Sequence, residues 1–152
     1  AGIPSIYNDQ KVDFRNGLIK IKNGEDLCIV ATGIMVHQAL KVASELQKDG
    51  IGAGVIDLHR IKPINKDLFI KNIQGYSQIV SMEEHLLAGG MGSVIAEIFV
   101  DEGITTPLLR IGQNDKFVFD LGGRQSIWEA HGLDVEGILK QIKEKSIAPI
   151  AR

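Results

Sequence analysis

"LCIVATGIMVHQALKVASELQKDGIGAGVIDL", residues 27–58, decides the fold. Leu27 to Thr32 is nearly all apolar, as in a strand covered on both faces. Gly33 ends that run. Over 34–48 apolar side chains recur at 36, 39, 40, 43 and 46, which is one helical stripe. Asp49-Gly50 closes the helix, with Gly50 suited to a left-handed cap. Residues 52–58 then read as a second strand, whose small residues at 52, 53 and 54 allow close packing.

The pattern repeats outward. Upstream, Ile19 and Ile21 alternate with Lys20 and Lys22, as on a half-exposed strand. Asn23-Gly24 is a hairpin signal, so residues 17–33 read as strand, turn, strand. Downstream, Lys62-Pro63 breaks the chain and Asn65 caps a short helix through Asn72. "SQIVSME" (77–83) is a strand, 91–101 a helix ended at Gly103, and "TPLLRIG" (106–112) a strand with Pro107 at its start or on an edge. Two helices close the sequence, the first capped by Gly132 and the second opened by Asp134. This alternation predicts a three-layer α/β/α domain with a largely parallel sheet, helices on both faces and at least one antiparallel strand.

Composition excludes several classes. A chain of 152 residues, 44% hydrophobic and 24% charged, suits one globular domain. A net charge of −2 gives no electrostatic case for nucleic acid or an anionic membrane. No apolar run approaches the ~20 residues of a membrane-spanning helix. The single Cys28, in an apolar strand, excludes an internal disulfide and reads as a buried, inert thiol in a reduced, cytoplasmic setting. No two histidines have metal-ligand spacing, and no Ser-His-Asp or Cys-His arrangement can be assembled. His37, His59, Arg60 and His131 read as boundary, packing or helix-end residues, and Trp128 as a core or interface anchor.

"SMEEHLLAGGMGSVIAE" (81–97) holds the chemical candidates. Ligands of open α/β sheets bind at the carboxyl ends of strands, and two loops lie there, "ATGIM" and "EEHLLAGGMGS". Gly89, Gly90 and Gly92 permit tight turns and close approach, but match neither a dinucleotide fingerprint nor a phosphate-binding Lys loop. Amides at the start of the following helix offer an anion site, and the same glycines equally suit a plain strand-to-helix joint near an interface. Glu83, Glu84 and His85 have the composition of a carboxylate-oriented base, yet alternate residues of a strand face opposite ways, so at most two share a site. Glu84, His85, Gly89, Gly90, Gly92 and Ser93 are therefore retained as interface or anion-loop candidates, with no catalytic residue, cofactor-binding residue or metal ligand assigned.

Three ordered segments carry a family resemblance: residues 26–65, the stretch "IVSMEEHLLAGGMGSVIAEI", and the close, with Asp115, Phe117, Gly122 or Gly123, and Gly132-Leu133. Over about residues 17–145 the sequence resembles the C-terminal domain of thiamine-diphosphate enzymes of the transketolase group. Glu-Glu-His followed by Gly-Gly-x-Gly-Ser looks most like transketolases encoded as two shorter chains. The resemblance implies a five-stranded mixed sheet in a domain that supports a dimer. The thiamine diphosphate and divalent metal of the full enzyme would be held by two other domains, and this chain alone would bind neither. It implies a parent that transfers a two-carbon ketol unit between sugar phosphates. Residues 1–16 then read as the tail of a linker from a pyrimidine-binding domain and 17–152 as the C-terminal domain, so the chain is expected to be a fragment or subunit, inactive alone, with the missing domains and a homo-oligomer as partners. Two alternatives belong to the same group: the C-terminal domain of a deoxyxylulose-phosphate synthase, or a docking domain of a 2-oxoacid dehydrogenase β subunit, using an acidic patch near Asp134 and Glu136. An independent anion or nucleotide sensor built on Gly89 to Ser93 is the remaining reading.

Overall fold

The structure, a computed structural model, describes residues 5–7, 12–119 and 121–145. Of the linker expected over residues 1–16, positions 1–4 and 8–11 lie outside these residues. A 3-10 turn at Phe14–Asn16 leads into β1 (Ile19–Lys22). Then follow β2 (Leu27–Ala31), α1 (Met35–Lys48), β3 (Ala53–Asp57), α2 (Lys66–Ile73), β4 (Gln78–Leu86), α3 (Met91–Asp101), β5 (Leu108–Gln113), α4 (Arg124–His131) and α5 (Val135–Lys145). The sheet has five strands in the order β1-β3-β2-β4-β5. β1 runs antiparallel to β3, and the other pairs are parallel.

The central strands are apolar because both faces are covered. Every residue of β2 and β3 is buried. Ile29, Val55, Val80 and Met82 pack with Val36, Ala39, Val42 and Ala43 of α1 and with Trp128, Ile138 and Ile142 of α4 and α5. Cys28, Val30, Ile56 and Ile79 point the other way, against Phe69 and Ile73 of α2 and Ile95 and Phe99 of α3. The strand period of two thus divides one apolar stretch between two cores. Asn65 caps α2 by accepting from the Leu68 amide at 3.3 Å, and the helix runs one residue beyond Asn72.

The hairpin expected at Asn23-Gly24 does not form. β1 and β2 are not paired; β1 crosses to the outer edge of β3. Gly24 has no positive φ, which a two-residue hairpin turn of the Asn-Gly type requires. It is glycine for another reason: a Cβ there would lie 2.1 Å from the Gly54 nitrogen and 2.4 Å from the Ala53 carbonyl carbon. The loop before β2 therefore lies directly on the backbone that starts β3, and Asp26 anchors it by accepting from the Gly52 amide at 2.6 Å.

This order puts a topological switch at β2. The chain goes from β2 to β3 on one side and returns as β4 on the other, with α1 on one face and α2 and α3 on the opposite face. The loops leaving β2 and β4 flank that switch, the place where open α/β sheets accept ligands and partners.

Gly24→Ala is expected to cost about 3 kcal/mol, because backbone must move to admit the methyl. Gly33→Ala, at φ +57° with nothing nearby, is expected to cost about 1 kcal/mol. Urea denaturation of the two variants measures the difference, and equal midpoints would remove the close-packing account of Gly24.

Candidate functional site

β4 is regular up to Met82 and then departs from its neighbour. From Met82 to Leu86 it advances four residues while β5 advances two, Ile111 to Gln113. Such an irregularity bends a strand and re-aims its side chains. Glu83 and Glu84 leave it on opposite faces.

Glu83 turns toward α3 and is 1% exposed. Its Oε2 accepts from the Met91 amide at 2.7 Å and its Oε1 from the Gly92 amide at 2.8 Å. A helix start carries unpaired amides and the positive end of the peptide dipole, so a carboxylate there is stabilised by both. Three glycines clear the space. A Cβ on Gly90 would lie 2.1 Å from Glu83 Oε2, one on Gly92 3.1 Å from Oε1, and one on Gly112 3.0 Å from Glu83 Cγ. The amides that the sequence offered to an outside anion are thus taken by the chain's own carboxylate.

Ser93 closes the loop above. Its Oγ donates to the Leu87 carbonyl at 2.7 Å and accepts from the Gly89 amide and from Arg110 Nη2, each at 3.0 Å. Arg110 Nη2 also donates to the Leu87 carbonyl. Gly89 adopts φ +75°, which makes the turn. Gly89, Gly90, Gly92 and Ser93 therefore form one joint held by internal hydrogen bonds, with Ser81 Oγ and Arg110 Nε beside Gly92 left without a partner.

Glu84 and His85 do not belong to it. Glu84 Oε1 accepts from Trp128 Nε1 at 2.8 Å and pairs with Arg124 Nε at 3.0 Å, so it ties β4 to α4. His85 is exposed at the strand end. The six candidates are therefore divided: Glu84 faces α4, His85 is exposed at the end of β4, and the other four form the joint to α3. Sequence reasoning weighed Glu83 without retaining it and did not find Arg110. The available signal was parity: with Met82 directed to the α1 core, Glu83 had to face the helix that follows.

The carboxyl end of β3 carries a second polar group. Asp57 is 7% exposed and accepts from the Tyr7 hydroxyl through Oδ2. Tyr7 packs edge-on against Phe14 at 5.4 Å, and Phe14 against His59 at 5.3 Å. His59 Nε2 lies 3.1 Å from the Phe14 carbonyl oxygen. Burial, then the hydrogen bond to Asp57 and its charge, push the Tyr7 hydroxyl above its ordinary value. Arg60 covers Gly17 and donates from Nε to the Pro63 carbonyl at 3.2 Å. These contacts fasten the leading segment to the sheet.

The chemistry available here is positional. No serine, threonine or cysteine is hydrogen-bonded to His59 or His85 among the described residues. Burial pushes the Cys28 thiol up to about 12, so it carries no thiolate near neutrality. Among the described residues no group of three or more His, Cys, Asp and Glu is placed to hold a metal ion. With the Met91 and Gly92 amides taken by Glu83, the start of α3 does not offer them to a diphosphate. A depression of about 790 Å³ lies at the opposite end of the sheet, between Lys20, Asp26, Gly52 and Tyr76. Asp134 opens α5 by accepting from the Gly137 amide at 3.3 Å, and with Glu136 it lines shallow depressions that also contain Lys41 and Lys140.

A family model described as "Transketolase, C-terminal domain" matches residues 17–138. The chain belongs to this family. It is 38% identical over 143 residues to a putative transketolase C-terminal section of Methanocaldococcus jannaschii, covering 92% of this chain and 44% of that protein. It is 39% identical over 132 residues to a 1-deoxy-D-xylulose-5-phosphate synthase of Gloeobacter violaceus, covering 86% of this chain and 20% of that protein. A solved split-gene transketolase, described as an inactive β4 tetramer, superposes with a TM-score of 0.84 at 32% identity, over 95% of this chain and 46% of that one. This transketolase C-terminal domain therefore spans less than half the length of these relatives, and its five-stranded mixed sheet is the fold that the sequence predicted.

Glu83→Ala is expected to cost about 3 kcal/mol, since two buried amides lose a charged acceptor. Glu84→Ala, on a partly exposed pair, is expected to cost about 1 kcal/mol or less and to shift Trp128 fluorescence. Urea denaturation followed by that fluorescence measures both, and reversed costs would contradict the geometry.

Both tyrosines ionise late in the folded chain. Burial is the first cause for each, followed by Asp57 at Tyr7 and by Cys28 at Tyr76. A group whose pKa is raised on folding adds stability below its unfolded value, about 10, and loses it as pH rises through the folded value. Folded chain at pH 10 should show little tyrosinate absorbance, chain unfolded in urea about half of the maximum, and stability should decline above that pH. Equal tyrosinate in the two states would count against the buried Tyr7–Asp57 contact.

Proposed function

We propose that this chain is the C-terminal domain of a thiamine-diphosphate-dependent transketolase assembled from shorter polypeptides. The parent transfers a two-carbon ketol unit from a ketose phosphate to an aldose. One observation carries this reading: the likeness to a transketolase C-terminal section extends over 92% of the chain, and to the split-gene transketolase over 95%. In this reading the cofactor, supplying the carbanion sink, and its divalent metal are held by two other domains of the full enzyme, which bind the diphosphate and the pyrimidine. Residues 1–16 are the linker from the second of these, and the assembly is a cytoplasmic homo-oligomer.

The contribution of this chain is a rigid wall. Glu83, Arg110 and Ser93 satisfy the loop after β4 from within. The exposed remainder, His85 and Gly89 with the half-exposed Glu84, is left to meet a neighbouring domain or subunit at the sheet's carboxyl edge. A second reading has specific support: at 39% identity the Gloeobacter violaceus synthase is as similar as the transketolase section. The parent then forms 1-deoxy-D-xylulose 5-phosphate, with this domain in the same supporting role.

Calorimetric titration of the purified chain with thiamine diphosphate and Mg²⁺ is expected to give no binding heat, and the chain alone no ketol transfer. Adding the polypeptide that carries the missing domains should restore turnover, and the product identifies the parent. Tight cofactor binding by the chain alone would sink the proposal; 1-deoxy-D-xylulose 5-phosphate as sole product would replace it with the second reading.

A further inference from the structure

Between β5 and α4 the chain exposes a run of large apolar side chains. Phe117 is 88% exposed, Phe119 84% and Leu121 97%, with Val118 also exposed. The two phenylalanine rings touch, with centroids 6.1 Å apart, and none of the four side chains joins either core. A single exposed apolar residue needs no explanation, and Val100 on α3 is one at 81%. Several neighbouring ones, including two aromatic rings, mark a surface that something covers.

We propose that Phe117, Val118, Phe119 and Leu121 form the docking surface for the domain that precedes this one in the longer transketolase relatives. The inference rests on the transketolase reading above and adds the surface and its occupant. Three observations choose that occupant. The relatives are more than twice as long, and a C-terminal domain leaves their remainder ahead of it. The leading segment arrives at the same edge of the sheet, because Tyr7 is held by Asp57 at the carboxyl end of β3. The apolar run leaves the carboxyl end of β5, three strand spacings away, or about 14 Å. One domain joined ahead of Tyr7 reaches both. The run is also continuous with the wall proposed above: it leads directly into α4, whose Arg124 and Trp128 both hold Glu84. The partner surface is accordingly apolar where it meets the two rings, with donors facing Glu84 and His85 at its rim.

Hydrogen exchange read by mass spectrometry tests this on the 152-residue chain and on the longer parent polypeptide. In the longer polypeptide the peptide spanning residues 114–123 should exchange about tenfold more slowly than in the short chain. The triple variant Phe117→Ser, Phe119→Ser, Leu121→Ser should leave the melting temperature of the short chain unchanged and abolish the added protection in the long one. Val100→Ser should change neither. Unchanged exchange in the longer polypeptide overturns the proposal, as does a lowered melting temperature of the short triple variant, which would mean that the run packs within this domain. Protection that appears in the short chain as its concentration rises also overturns it, in favour of a second copy. A parent that carries out ketol transfer with residues 114–123 unprotected would sink this inference alone. A protected run in a parent that makes no ketol product would sink only the functional reading.

Discussion

The wall at the carboxyl end of the sheet depends on one carboxylate. Glu83 is almost wholly buried and holds the first two amides of α3. A buried charge without partners is costly, and unpaired amides at a buried helix start are costly too, so each removes the other's penalty. Everything around it is shaped to allow that contact. The strand irregularity after Met82 re-aims the side chain, Gly90 and Gly92 let the helix approach from above, and Gly112 admits the stem from β5. A glycine-rich joint that resembles a ligand cradle in one dimension is filled by the protein itself in three. What remains exposed is Glu84, on the other face of the same strand, and His85 at the strand end.

The elements were legible where one force dominates. Leu27–Ala31 and the α1 stripe follow from burial alone, and the periods of 2 and 3.6 put their boundaries within a residue or two of those observed. Positive-φ glycines at 50 and 132 close helices as their positions imply. Reading failed where a residue has two physical uses. Asn23-Gly24 signals a turn, but here the absent Cβ serves contact with the start of β3, and pairing is decided by the sheet order rather than by the dipeptide. In the site, the glycines were legible as sites of close approach. The approaching group was not, because the link from Glu83 to Met91 exists only once the helix has packed. Arg110 and the Tyr7–Asp57 contact, across 50 residues, were invisible for the same reason.

Internal hydrogen bonding also limits which strand-end groups, among the described residues, stand free for a substrate. A site needs groups held in place and groups left unpaired for substrate. At the strand ends several polar groups are committed, Glu83 to amides, Ser93 and Arg110 to the Leu87 carbonyl, Glu84 to Trp128 and Arg124, Asp57 to Tyr7, while the buried Asp57 Oδ1, Ser81 Oγ, Arg110 Nε and Gln113 Oε1 have no hydrogen-bond partner. The thiol is buried, and the two strand-end histidines stand apart, on loops after β3 and on β4. Such an edge is stiff, which suits the supporting role proposed above.

Both faces of β4 then serve one purpose. Through Glu83 the strand fixes α3, and through Glu84 it fixes α4, so two helices on opposite sides of the sheet are referenced to adjacent residues of one strand. The Glu84 pair is worth little as stability, being half-exposed and open to screening by salt. Its value is directional. Arg124 and Trp128 meet the same oxygen, which sets the rotation of α4 and with it the path of the apolar run that precedes the helix. A weak surface contact is thereby placed where position, rather than energy, is the quantity that matters.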